Sequence, residues 1–386
     1  MSKSKLFEKY TLNNKVEIKN RLVITPITIG QSTTDGSFNE EELEYLKSRA
    51  TSIGLYVFGA TEVSQEGVDL PSRPRALSEK DIPSLTERAN MIKSQGAKAL
   101  IQLDHRGCFG NIEYSGLSPV APSAEIVNEE LKKKNAYSEK NKVHELTNEE
   151  IVKLIEKYGI ATELCMKAGF EGVEIHVANF NLLHQFFSSH SNKRTDDWGG
   201  SDEKRMNLIL KIVDEVCKIR EKNNKPEFII GCRLSPEELF EDGLTMTETL
   251  KLIKILSNKP LQYISITQKN FFQKTKKGEG EGIETLKVIH KEVEGKMALI
   301  GTGGLKTGSD FSSAIDSGFC EFIGAGSASM LNPNLGILLE QNQGDKLNVE
   351  IDPEHPEYYK MTPNLWKWCQ MGFDWMPPVK GKNPKK

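Results

Sequence analysis

The segment Glu174-Ile175-His176-Val177-Ala178-Asn179 places an imidazole and a carboxamide three residues apart at the end of a short, β-branched, apolar run. Both are neutral hydrogen-bonding side chains, so the pair suits gripping and polarising an oxygen of a bound molecule. A lone histidine in such a run is ordinarily a core residue with its hydrogen bonds satisfied, and Asn179 with the chain that follows weighs against that reading. Downstream lie Asn192, Arg194, Thr195, Asp196 and Gly199-Gly200-Ser201, a polar stretch too specific in composition for a bare connection.

These residues need a frame. Short apolar or β-rich runs predict strands at 22–25, 55–60, 99–103, 173–177, 228–234, 263–267, 298–301 and 322–324. Segments with three-to-four-residue apolar spacing predict helices at 40–52, 81–95, 148–168, 202–222, 246–256, 283–293 and 310–317. Thr147 and Glu150 form a capping box at the start of one of them. Eight strands, each expected to be buried on both faces and alternating with helices, predict an α/β fold: a single (β/α)8 TIM barrel over residues 1–345. Residues 110–145, with Lys132 to Lys134, predict a loop excursion or small hairpin over the mouth after the third strand. Residues 346–386 predict a C-terminal extension that docks on the barrel through Trp366, Trp368 and Trp375 and frays over 380–386.

In such a barrel the residues just past each strand's C-terminal end converge on one mouth. Here they are Thr25-Pro26-Ile27-Thr28, Gly59-Ala60, Gln102, His105, His176, Asn179, Arg233, Thr302-Gly303-Gly304 and Gly326-Ser327. Arg233 is the single fixed charge expected among them. The set suits a neutral, planar, hydrogen-bonding group beside one cation, with glycine turns after the last two strands placed for a phosphate. It has too few carboxylates for a divalent metal, and no metal site is expected.

The 386 residues are 37% hydrophobic and 27% charged with a net charge of −3, an ordinary globular composition that gives no reason to expect nucleic acid or an anionic membrane as partner. Six cysteines lie far apart with no CxxC pair, so they are expected as reduced, buried thiols. The polar start of the chain and the lack of a long apolar run predict a cytoplasmic protein.

Asn20-Arg21, Gln102-Leu103 with His105, Glu174 to Asn179, and Asn192-Lys193-Arg194-Thr195-Asp196-Asp197-Trp198-Gly199-Gly200-Ser201 together resemble the Old Yellow Enzyme family, over roughly residues 7–332. The bacterial NADH:flavin oxidoreductase / NADH oxidase branch is the most similar. The resemblance implies noncovalent FMN, reduced by NADH or NADPH in a ping-pong cycle that passes the flavin N5 hydride to an electron-poor small molecule, an enone, quinone or nitro compound. Carried over by position, Thr25, Pro26, Ile27 and Thr28 would wrap one edge of the ring, with Thr28 tuning its potential. Ala60 and Gln102 would meet the pyrimidine side and Arg233 would sit beside N1. His176 and Asn179 would hold the acceptor oxygen, and Gly303, Gly304, Gly326 and Ser327 would take the phosphate.

The chain departs from that pattern at several places. Ser327 stands where an Arg is common, Asn181 where many relatives carry the proton-donating Tyr, Phe180 for a usual Gly, and Gly30 for an aromatic. Gly30, Phe180 and Asn181 therefore remodel the expected substrate pocket. They also keep open an alternative, a flavin-binding sensor or carrier with weak or no ene-reductase activity. The longer flavin and iron-sulfur enzymes on this barrel need a cysteine cluster after it, where only Cys369 lies. His105, Arg106 and Gly107 resemble a structural His-x-Gly turn, and Lys274, Lys276 and Lys277 are expected to be solvated. Such relatives often form homo-oligomers, but no dimer surface is legible in the sequence.

Overall fold

A computed structural model describes residues 4–124, 140–373 and 376–382. Eight parallel strands close into a barrel: β1 (Leu22–Ile24), β2 (Leu55–Glu62), β3 (Lys98–Asp104), β4 (Gly172–Val177), β5 (Ile229–Leu234), β6 (Tyr263–Ile266), β7 (Ala298–Gly301) and β8 (Phe322–Ala325). Each strand pairs with its neighbours in chain order and β8 returns to β1, so no strand is left with an open edge. Apart from half-buried Lys98, every strand residue is buried. Strands enclosed by side chains inside and by helices outside have no solvent face, so their sequences run apolar instead of alternating.

The outer ring is α1 (Glu40–Lys47), α2 (Ile82–Lys93), α3 (Asn148–Lys167), α4 (Asp202–Lys222), α5 (Met246–Leu256), α6 (Thr285–Val293), α7 (Gly308–Asp316) and α8 (Leu335–Glu340). Capping boxes at Thr147/Glu150, Thr245/Glu248 and Thr307/Asp310 start α3, α5 and α7, satisfying amide groups that a helix's first turn leaves unpaired. At the N-terminal end of the barrel, Tyr10–Thr11 pairs antiparallel with Glu17–Ile18. Leu12 and Ile18 from this ribbon pack with Val23, Leu55, Val57, Leu100, Ile229 and Tyr263, plugging the floor.

The expected elements shift in informative ways. Strands β2 and β3 run beyond their predicted ends to Glu62 and Asp104, which pair with each other and carry two carboxylates to the rim. The excursion after β3 contains Val120–Ala121 paired with His144–Glu145, and the pairing is parallel, which a tight hairpin cannot produce. Residues 125–139, with Lys132 to Lys134, lie outside the described residues, as do Trp375 and 383–386. Lys380, predicted to fray, is held: its amide donates to the Ile351 carbonyl at 2.9 Å and its Nζ lies 2.9 Å from Asp352.

Candidate active site

The rim begins with an irregularity. Phe58 pairs with Ile101 and Thr61 with Leu103, so Gly59 and Ala60 together oppose Gln102 alone. Such a bulge turns the strand end and re-aims the side chains that follow. It brings buried Ala60 and buried Gln102 side by side, and the Gln102 amide Nε2 donates to Glu174 Oε1 at 2.7 Å. The Tyr263 hydroxyl donates to the other Glu174 oxygen at 3.1 Å. Burial pushes the Glu174 carboxyl up, while the Arg233 charge pulls it down.

Arg233 lies opposite both His176 and Ser265 in the strand register. Its guanidinium is buried and Nη1 has no hydrogen-bond partner among the described residues. Burial lowers its pKa, and the Glu174 carboxylate opposes that shift. An unmet donor on a buried cation is costly, and a ligand rich in acceptor atoms would relieve it. His176 is buried as well, with an unpartnered Nδ1. Burial lowers its pKa to about 4; the Asp104 carboxylate works against this and the Arg233 and Arg106 charges reinforce it. The imidazole is therefore neutral near pH 7, with one nitrogen able to donate.

Asn179 is exposed at the rim, and its backbone N–H donates to Ser235 Oγ at 3.0 Å. Both Asn179 and Phe180 adopt left-handed backbone, with φ of 57° and 59°. A glycine would do so freely, and a Phe there costs of order 1 kcal/mol. Phe180 covers this strain with aromatic packing: its ring lies 5.8 Å from both Phe240 and His184 and 6.1 Å from Phe109.

Asn181, expected in the pocket wall, has its side chain committed to a buried network. Its Nδ2 donates to both Asp104 oxygens at 2.8 Å, and its Oδ1 accepts from Arg106. Arg106 continues to Asp69 at 2.8 Å, Asp69 to Arg73 at 2.6 Å, and Arg73 lies 3.2 Å from Glu62 and 3.9 Å from Asp104. Burial raises the Glu62 pKa well above the ordinary carboxylate value. In this network Arg73 and Arg106 face the carboxylates of Asp69 and Asp104. A single fixed charge was expected at this rim, and that expectation fails because Glu62 and Asp104 sit on strand extensions that apolar patterning does not mark. Asp104 and Arg106, adjacent to His105 in sequence, were the available signal.

The opposite side of the mouth is built from backbone. Gly303 has φ +131°, and a Cβ there would lie 2.7 Å from the Asn270 carbonyl carbon and the Phe271 nitrogen, so no other residue fits. Among the described residues the amides of Gly303, Gly304 and Ser327 donate to no protein acceptor. Gly326 precedes the short helix Ser327–Leu331. Thr25 Oγ1 is tied to the Ala325 carbonyl at 3.3 Å and Thr302 Oγ1 to Ile266 at 2.7 Å, joining strand ends around the turn. Pro26, Ile27 and Thr28 are half-buried along the loop leaving β1. Gly30 is buried, and the Trp368 indole occupies the space beside its Cα.

Other conspicuous residues turn out to hold the framework. Asn192 Nδ2 donates to the Phe186 and Trp198 carbonyls at 2.7 and 2.8 Å, and Arg194 reaches the Pro122 and Leu146 carbonyls at 3.0 and 2.7 Å. The polar stretch 192–201 thus fastens the loop after β4 to the excursion after β3. His105 Nδ1 accepts from the Gly107 amide at 3.0 Å, closing its own turn. His184 pairs with buried Glu238 at 3.0 Å, and His190 stacks on Phe240 at 3.8 Å. Lys277 Nζ donates to the Phe240 carbonyl at 2.6 Å.

Barrel and mouth together define a flavin-dependent oxidoreductase of the Old Yellow Enzyme type. The chain belongs to the NADH:flavin oxidoreductase / NADH oxidase family, whose model matches residues 5–346. It is 34% identical over 96% of its length, and 97% of the relative, to a probable NADH-dependent flavin oxidoreductase of Bacillus subtilis. The NADH:acrylate oxidoreductase of Vibrio harveyi is 30% identical over 86% of this chain, which spans only 32% of that longer protein. An Old Yellow Enzyme homologue from Zymomonas mobilis superposes with a TM-score of 0.77 at 26% identity, covering 93% of this chain and 99% of that one. Among the described residues no helix is long and apolar enough to cross a membrane.

The family's cofactor is FMN and its reductant a nicotinamide dinucleotide. The residues present fit FMN: a planar, hydrogen-bonding ring system suits the unmet donor of Arg233 and the unpartnered ring nitrogen of His176, and a phosphate suits the free amides of Gly303, Gly304 and Ser327.

Proposed function

We propose that this flavin oxidoreductase works in two half-reactions at one mouth. The oxidised nicotinamide leaves before a quinone or nitro compound, and less readily an enone, enters. FMN supplies the two-electron chemistry. His176 and Asn179 hold the acceptor's oxygen, and the neutral His176 ring donates a hydrogen bond to negative charge as it develops there. Arg233, a buried cation, would lie beside the bound ring and favour negative charge on it. Gly303, Gly304 and Ser327 would anchor the phosphate through their backbone amides.

The observation that carries this reading is the pair of unpartnered buried nitrogens, His176 Nδ1 and Arg233 Nη1, on adjacent strands. Asn181 bears on the acceptor class. A carboxamide is not an acid, and this one is bound at both ends to Asp104 and Arg106, so it delivers no proton to a substrate carbon. Quinones and nitro compounds can take protons from water, which reaches the rim at exposed Asn179. Six buried free thiols agree with a reducing, cytoplasmic compartment.

The test is an anaerobic titration. The purified protein should be yellow, bleach with NADH or NADPH, and recover its colour on adding a quinone or nitro compound. A colourless protein that takes up no FMN rejects the reading. Bleaching reversed only by oxygen would instead favour a flavin carrier.

A further inference from the structure

Gly30 is buried in the loop that leaves β1, two residues past Thr28, with φ +59°. A Cβ built there would lie 2.0 Å from Trp368 Cη2, 2.7 Å from Cζ2 and 2.8 Å from Cζ3. The six-membered ring of the indole therefore occupies the volume that a side chain at position 30 would fill. Trp368 itself is only half-buried.

The helix that carries it, Pro363–Gln370, is fastened to this loop. Thr362 caps the helix and its hydroxyl also donates to the Ile29 carbonyl at 3.1 Å. Asn364 Nδ2 donates to the Gly30 carbonyl at 2.5 Å, and the Asn364 amide donates to Gln31 Oε1 at 3.3 Å. Leu365 and Cys369 are buried beneath the helix. Behind it, buried Arg49 bonds the Tyr359 carbonyl and, at 3.1 Å, the Ser329 carbonyl, tying the extension to the turn after β8. Trp368 lies beyond residues 5–346, the stretch that the family model matches.

We propose that Trp368 is a specificity-determining wall of the acceptor pocket, brought in by the C-terminal helix in place of a side chain at position 30, and that it favours planar, electron-poor ring systems. This rests on the acceptor pocket proposed above. A residue delivered by a helix bonded to the backbone at positions 29 and 30 and to the Gln31 side chain is held as firmly as one grown from the loop itself. The indole face is electron-rich, so a quinone or nitroarene gains offset stacking that a small aliphatic enone does not.

The test uses FMN-loaded protein in the oxidised state without reductant, so that ligand binding is read apart from turnover. Dissociation constants for 1,4-naphthoquinone and for 2-cyclohexenone are measured with wild type, Trp368→Phe, Trp368→Leu and Trp368→Ala. The expected result is about tenfold weaker naphthoquinone binding for the Leu and Ala variants and less than about threefold for Phe, with cyclohexenone within about threefold throughout. FMN content should be unchanged. Equal weakening of both ligands, no weakening of either, or a Leu variant that binds naphthoquinone like wild type would overturn the proposal. Loss of NADH bleaching in wild type would instead reject the underlying assignment of the pocket.

Discussion

His176 is the residue whose surroundings say most about its chemistry. A histidine held to a pKa of about 4 stays uncharged through the physiological range and offers a fixed donor without a titrating charge. Its folded pKa lies below the unfolded value of 6.5, so the unfolded chain takes up this proton first as the pH falls. The group's contribution to stability is complete above pH 6.5 and is lost toward pH 4, an amount of about 3 kcal/mol for the full shift. Urea unfolding of wild type should therefore lose stability over that window faster than His176→Gln. Identical slopes would show that the imidazole is not buried neutral. The sequence placed this residue at a strand end, but its depressed pKa depends on burial and on Asp104, Arg233 and Arg106, which come from other elements.

At the scale of elements, the loop 192–201 shows how a motif can be specific and yet structural. Arg194 is nearly buried and bonds carbonyls of Pro122 and Leu146 in a different loop, so its guanidinium acts as a rivet between two excursions at the mouth. Arg194→Ala should lower stability by about 1–3 kcal/mol, because two buried carbonyls lose a charged donor. Thermal unfolding checks this, and a change below about 0.5 kcal/mol would show that the rivet is dispensable. FMN affinity should fall less than stability, since the side chain itself does not face the ring site. Composition alone could not separate this role from ligand binding, because an arginine that bonds a carbonyl and one that bonds a substrate look alike in a sequence.

For the whole molecule, barrel closure depends on side chains meeting inside it. Gly231 leaves room for the ring of Tyr263, whose atoms would lie 2.1–2.4 Å from an added Cβ. Tyr263 in turn supports Glu174, which holds Gln102. Gly231→Ala should thus destabilise the fold by about 1–3 kcal/mol and loosen FMN through the displaced Glu174. The melting temperature and the FMN dissociation constant should change together. A variant that melts normally would mean the Tyr263 ring can shift at no cost.

Much of this protein is already determined by its linear chain. Eight apolar runs separated by amphipathic helices define a closed parallel barrel, because strands covered on both faces admit few polar residues and the periodicity survives without knowledge of any contact. The order of strand ends likewise places His176, Asn179, Arg233 and the Gly303-Gly304 turn at one mouth. Only the tertiary structure decided that Asn181 is held between Asp104 and Arg106, that Glu62 joins the same network, and that Trp368 occupies the space left by Gly30. Each of these pairs residues from different segments, and whether they touch depends on strand register, a two-residue bulge and the docking of a terminal helix. None of those leaves a periodic trace in the sequence.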